Sequence, residues 1–251
     1  MWTWAVYQRC SSLTRGGMHF EHSPAIWQQF PQLVPGVLLV EDVRPDVDVD
    51  ALLEPWYARA RERLLGRSES ELAEVAAWRR AYAQMGLKPT QYRSAAEALL
   101  RRFRRDGALP RLHPLVDLCN AVSLAFAVPV AAVDLDGVAT YLEVRHARGD
   151  EEHLAWSGEV ERPEPGEVIF ADAANHAHAR RWTFRQSRRS AVGPTARRVL
   201  VVGEALHASA AADVPALLDA LHRGIEAAWG PVRRQAVLTA AAPRLGLARE
   251  D

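Results

Sequence analysis

Helical patterns fill the first half of this chain and strand patterns the second, and the two do not alternate. That order constrains the fold more than any single motif, because a parallel sheet needs a crossover, usually a helix, between successive strands. Residues 33–43, LVPGVLLVEDV, read as an early strand bounded by turn residues. Helical spacing then runs through DVDALLEPWYARARERLLG, which ends at Gly66, and through SESELAEVAAWRRAYAQMG, where Ser68 and Glu71 match a capping box. In SAAEALLRRFRRDG, Ser94 and Glu97 repeat the box and Gly107 closes the end. In HPLVDLCNAVSLAFAVP, Pro114 suits a first-turn position. After Pro129, the segments VATYLEVR, EVIFAD, RRVLVVGEAL and RQAVLTA read as strands, and DVPALLDALHRGIEAAWG as a late amphipathic helix. The order predicts an α+β fold, with early helices packed on a mixed sheet.

With 251 residues and 49% hydrophobic composition, the chain can bury one sizeable core. Charges balance at 31 against 31, so bulk attraction to nucleic acid or membrane is not implied and any such binding must come from local patches. Lys88 is the only lysine, so only the clustering of arginines carries weight, not their number. Cys10 and Cys119 give neither a disulfide framework nor a zinc spacing. No run approaches the ~18 apolar residues of a membrane span. Residues 1–17 lack the pattern of a secretion signal, and Met18 opens a more ordinary sequence. The expectation is a leader or misassigned start over 1–17, one domain over 18–210, a helix and strand over 211–251 packing on it, and a cytoplasmic location.

RRFRR, residues 101–105, puts Arg101, Arg104 and Arg105 on neighbouring positions of one helix, which suits a phosphate backbone or simply a solvated face. In GLKPTQYRS, Tyr92 and Arg93 precede a helix N-terminus, where anions are favoured; bracing the turn is the alternative. His176 and His178, two apart, suit a metal on one side of a strand, but no third ligand stands at a convincing spacing, so no metal is expected. Nucleophile elbows, phosphate loops and dinucleotide fingerprints are absent, so neither a covalent mechanism nor a cofactor is indicated.

The segment LHPLVDLCNAVSLAFAVPVAAVDLDG, residues 112–137, followed by LEVRHARGDEE and PGEVIFAD, resembles the tRNA-binding and editing domain of the phenylalanyl-tRNA synthetase β subunit. Val116, Asp117 and Asn120 fall in register with that family's Val-Val-Asp-Val-Thr-Asn-Tyr, and Pro129, Ala132 and Asp134 with its Pro-x-His-Ala-Phe-Asp. WRRAYAQMGLKPTQYRSAAEALLRR and RRWTFRQ are similar to free-standing relatives of that domain, and the resemblance spans roughly 18–205. It implies a mixed α+β fold with a Greek-key β-barrel element. It also implies a pocket that hydrolyses a wrongly attached amino acid from tRNA with a positioned water. The family histidine is Ala131 here, and the family's late glutamate, which reads the amino acid, is nearest to Glu204.

The expected catalytic set is therefore Asn120, Glu204 and Arg185. Tyr92, Arg93, Arg181, Trp182 and Gln186 would bind substrate, and Arg101, Arg104 and Arg105 would bind RNA. On a strand, Arg181, Thr183 and Arg185 would share one face, with Trp182, Phe184 and Gln186 on the other. The expected partner is aminoacylated tRNA, and the expected function is a stand-alone aminoacyl-tRNA deacylase, not a ligase. Two alternatives remain: a non-catalytic tRNA- or RNA-binding module, and a pocket acting on a free small molecule.

Overall fold

The computed structural model describes residues 17–248, so the leader expected at the N-terminus lies almost wholly outside the described residues. In chain order the elements are β1 (His19–His22), α1 (Pro24–Gln29), β2 (Val34–Val40), α2 (Asp50–Arg63), α3 (Ala73–Gln84), α4 (Ala95–Asp106) and α5 (Pro114–Phe126). Strands β3 (Val130–Asp134), β4 (Tyr141–His146), β5 (His153–Leu154), β6 (Val160–Glu161), β7 (Val168–Asp172), β8 (Ala177–Arg180), β9 (Arg185–Gln186) and β10 (Val199–Ala205) follow. Helix α6 (Ala210–Trp229) and strands β11 (Arg234–Val237) and β12 (Arg244–Gly246) complete the chain.

The fold is α+β, as the order of patterns predicts. One sheet runs β12-β1-β4-β7-β8-β9 and is mixed, because β1 pairs in parallel with β4. A second, antiparallel sheet runs β11-β2-β10-β3, and β5 pairs with β6. Among the described residues neither sheet closes into a barrel.

The four-stranded sheet is the middle layer. Leu38, Val40, Val199 and Val201 join a core with α5 and α6, while Val37, Leu39, Leu200 and Val202 join another with Phe170, Leu142 and Val144 of the opposite sheet. Both faces of β2 and β10 are thus buried, which explains why VLLV and VLVV show no alternation. The same parity decides where polar side chains go. On β10, Glu204 shares the face of Leu200 and Val202 and points between the sheets.

Capping follows the sequence with one difference. Ser94 Oγ accepts the Glu97 N–H at 3.3 Å, Gly107 closes α4 with φ 74°, and Pro114 opens α5. The Ser68–Glu71 box caps only a short 3-10 turn over Glu69–Glu71, where Glu71 accepts the Ser68 backbone N–H at 2.6 Å. Helix α3 begins after Leu72, which stays extended and packs against Val75, Leu100 and Phe103.

Gly36 and Gly203 face each other across β2 and β10, under α6. A Cβ on Gly36 would lie 2.7 Å from Val214 Cγ1, and one on Gly203 would lie 2.9 Å from Leu217 Cδ2. The bare backbone lets the helix sit close to the sheet. Gly36→Val and Gly203→Val should each cost about 1–3 kcal/mol through overpacking. At roughly 2–4 °C per kcal/mol for a chain of this size, thermal melts should detect the loss; an unchanged melting temperature would contradict the close approach.

Candidate functional site

A cavity of about 90 Å³ opens between the two sheets, with Glu204 among its lining residues. Its walls are mostly apolar, from Val130, Ala131, Phe170, Trp182 and Val202, and its polar groups come from His178, Thr183, Arg185, Gln186 and Glu204. Glu204 is buried, and its Oε1 accepts two hydrogen bonds: from His22 Nε2 at 2.7 Å and from Trp182 Nε1 at 2.9 Å. Its Oε2 has no hydrogen bond to the described residues. That oxygen is not enclosed by protein, so it is the acceptor that Glu204 presents to the cavity.

The turn that delivers Trp182 is not the strand expected from RRWTFRQ. β8 ends at Arg180, and Arg181 and Trp182 are both left-handed, with φ 46° and 60°. Two successive non-glycine residues in that region break the alternation of faces. They cost of order 1–3 kcal/mol each and persist only where surroundings hold them. Here Glu167 Oε1 accepts the Arg181 N–H at 2.9 Å, Val168 O accepts the Trp182 N–H at 2.7 Å, and Tyr82 OH donates to Arg181 O at 3.2 Å. Ala95 N–H, at the start of α4, donates to Thr183 O at 2.8 Å. Trp182 is fully buried, edge-on to Trp78 at 5.0 Å and Phe30 at 4.8 Å, whereas Phe184 is only half-buried.

The arginines of this stretch do different jobs. Arg180 is buried and binds Glu167 through two hydrogen bonds of 3.0 and 2.9 Å, and Glu161 at 2.7 Å. Arg181 lies over the Tyr92 ring at 4.5 Å, and Tyr92 meets Phe184 edge-on at 5.3 Å. Arg185 rims the cavity, more than one-third exposed, with its guanidinium 3.0 Å from Glu161. Burial alone would raise the Glu167 carboxyl's pKa, but the Arg180 hydrogen bonds and charge hold it below the ordinary range.

Asn120 lies elsewhere. It is half-buried on α5 and lines a second cleft of about 400 Å³ with His113, Cys119, Trp156 and Pro194. Val130 and Gln186 line both cavities and form the wall between them. Gln186 Nε2 donates to Ala132 O at 2.7 Å and to Ser190 O at 3.3 Å, which leaves its carbonyl oxygen as the free polar atom. Burial pushes the Cys119 thiol up to about 12, so it is no nucleophile. Arg93 braces its turn through Thr90 O at 2.8 Å and faces Glu97 at 3.5 Å. On α4, Arg104 pairs with Glu69 at 3.0 Å and Arg105 with Asp106 at 2.6 Å, while Arg101 is exposed with no ion pair among the described residues.

The structure thus brings Glu204, Trp182, Arg185 and Gln186 together, with Arg181 and Tyr92 packed on the outer side of the same turn. Asn120 stands across the Gln186 wall and the α4 arginines lie apart. Sequence reasoning did not find His22, whose partner is 182 residues away, nor Glu167 and Tyr82, which hold the turn. It also did not find Asp172, whose carboxylate Oδ2 lies 3.1 Å from both His176 Nδ1 and His178 Nε2. That last group carries a readable signal, because a hairpin folds the Asp-x-x-x-His-x-His spacing back on itself.

The B3/4 domain family matches residues 77–216 of this chain. Among solved structures, the chain is similar to an N-terminal fragment of the phenylalanyl-tRNA synthetase β subunit from Pyrococcus horikoshii, with 8% identity and a TM-score of 0.44. The likeness covers 87% of this chain and 53% of that one, so this chain spans about half the length of that fragment. No curated protein matches. Among the described residues no helix is long and apolar enough to cross a membrane.

Glu167→Gln keeps the shape but removes the charge that Arg180 faces and weakens the acceptor for Arg181 N–H. The expected loss at neutral pH is about 1.5–3 kcal/mol. Because the folded pKa of Glu167 is depressed, its contribution is complete above the unfolded value of about 4.3 and declines as pH falls below it. Denaturant melts between pH 7 and pH 3 should therefore show a steeper acid loss for the wild type than for Glu167→Gln; parallel curves would place the acid sensitivity elsewhere.

Proposed function

The chain belongs to the B3/4 domain family, that of the phenylalanyl-tRNA synthetase β subunit, and on that premise we propose a stand-alone editing protein. It hydrolyses mischarged aminoacyl-tRNA in trans, in the cytoplasm, with a positioned water. The observation that carries this reading is the buried Glu204 carboxylate at a cavity whose other walls are apolar, with Oε2 left without a protein partner. An aminoacyl ester offers an α-ammonium and a side chain, and Glu204 takes the cation or a polar side-chain group. The ester lies toward Gln186 and Arg185. The Gln186 carbonyl oxygen accepts from the water, and the Arg185 guanidinium faces the ester oxygen as negative charge develops. The second cleft, beyond the Gln186 wall, takes the terminal nucleoside, with Asn120 and the exposed Trp156 beside it.

The non-catalytic binding module keeps a specific point in its favour. Ala131, which stands where the resemblance puts a histidine, is on the cavity wall and supplies no polar group there. The two readings separate by assay. Purified protein is incubated with a panel of correctly and wrongly charged tRNAs, and amino-acid release is followed. Wild type should release at least one wrongly attached amino acid faster than the cognate. Loss of the Arg185 cation in Arg185→Ala should slow it by about 10²–10³. Glu204→Gln should change which amino acid is released more than the fastest rate. No release from any tRNA would sink the enzyme reading and leave the binding module.

Contact with tRNA has its own signature. Arg101 is the α4 arginine with no ion pair among the described residues, so it is the one with charge to offer a phosphate. Affinity should fall as salt rises, and Arg101→Ala should flatten the log–log slope by about one, whereas Arg104→Ala, already facing Glu69, should change it less. An affinity independent of salt would count against both tRNA readings.

A further inference from the structure

Three potential metal-ligand side chains converge at the β7–β8 hairpin, and one of them, His178, also lines the small cavity that holds Glu204. Asp172 ends β7, His178 lies on β8 and His176 stands just before it. One ligand atom from each residue lies within 4.8 Å of the others, and both histidine contacts run to the same oxygen, Asp172 Oδ2, at 3.1 Å. That oxygen also accepts the Ala139 N–H at 3.0 Å. Three donors crowd one carboxylate oxygen, and a single cation in place of the two imidazole N–H groups relieves the crowding. At bonds of about 2.0–2.1 Å, tetrahedral ligands stand roughly 3.3 Å apart, so the separations to Asp172 need only a small outward shift.

The surroundings are those of a held ligand set. Asp172 Oδ1 accepts the backbone N–H groups of Ala174 and His176, each at 2.9 Å, so the carboxylate is already oriented. His178 Nδ1 lies 2.9 Å from the buried Ser190 Oγ, which fixes the ring and directs Nε2 at Asp172. His176 is partly exposed, which gives an ion a route in and leaves a coordination position open to water. We propose that Asp172, His176 and His178 bind a divalent transition-metal ion of the zinc class, with water completing a tetrahedral set. Two nitrogens and one carboxylate suit such an ion better than magnesium, which favours oxygen ligands in an octahedron. With Nε2 of His178 given to the ion, its Nδ1 is the nitrogen left to donate to Ser190 Oγ, and with Nδ1 of His176 given to the ion, its Nε2 is the nitrogen left to donate.

The test is calorimetric titration of Zn²⁺ into chelator-treated full-length protein, with Mg²⁺ as the hard-cation control. One Zn²⁺ should bind per chain and Mg²⁺ should give no saturable heat. Co²⁺ should take the same place and show the visible absorption of a tetrahedral site. Ser190→Ala, which leaves all three ligands in place, should weaken Zn²⁺ about 10–100-fold, and His176→Ala should weaken it at least as much. His222→Ala, far along the chain on α6, should leave affinity unchanged. Because His176 is partly exposed, its variant should melt close to the wild type in the absence of metal. If that variant does not fold, Ser190→Ala and the Co²⁺ spectrum still decide. Absence of stoichiometric Zn²⁺ binding, or binding that His222→Ala weakens as much as His176→Ala, would overturn the proposal.

Discussion

A carboxylate buried between two sheets holds the centre of this protein together. Glu204 accepts from His22 on β1 and from Trp182 on the turn after β8, so one oxygen ties β10 of the inner sheet to two separate strands of the outer one. In a medium of low dielectric such bonds are strong, and the cost of leaving the carboxylate unsatisfied is high. The consequence is mutual dependence: the Trp182 turn supplies one of the two donors that Glu204 Oε1 accepts, and Glu204 supplies the acceptor for the buried indole N–H. The cavity inherits its polarity from this knot and its small size from the indole that enters it.

The strained turn at Arg181 and Trp182 follows from that requirement. An extended strand through these residues would keep their side chains on opposite faces but would not bring the indole nitrogen to β10. The left-handed pair does so, and Glu167, Tyr82 and Val168 hold the backbone that results. The arginines around it are mostly engaged with the protein itself. Arg180 neutralises Glu167 and Glu161 inside the molecule, and Arg181 covers an aromatic pair. A stretch dense in arginine thus serves mainly as internal support, and even Arg185, exposed at the cavity rim, faces Glu161 at 3.0 Å. The same holds on α4, where Glu69 and Asp106 offset two of the three arginines expected to meet RNA.

Behind the site, the inner sheet is pressed between the helices and the outer sheet. The paired glycines Gly36 and Gly203 let α6 sit close on one face, and the face carrying Leu200, Val202 and Glu204 is turned inward to the other. Position along β10 thereby becomes chemistry: a shift of one residue would turn Glu204 toward α6 and remove the carboxylate from the cavity.

By itself the sequence determined the longer elements and their order, while short ones such as β1, α1 and β12 carry too few residues for a period to show. Capping at Ser94 and Gly107, the proline that opens α5, and the period of each amphipathic stretch are local properties, set by backbone geometry and by which side chains avoid water. The same locality made the family resemblance legible over roughly 18–205, and Glu204 and Trp182 were legible as candidates within it. What needed the tertiary structure is everything set by encounter between distant segments. The His22–Glu204 bond, the separation of Asn120 from Glu204 by the Gln186 wall, and the ion pairs that occupy Arg180 and Arg104 belong to no window of sequence. The turn at 181–182 is the sharpest case. Alternation predicts a strand there, and the burial of one carboxylate, some twenty residues further on, decides for strained backbone instead.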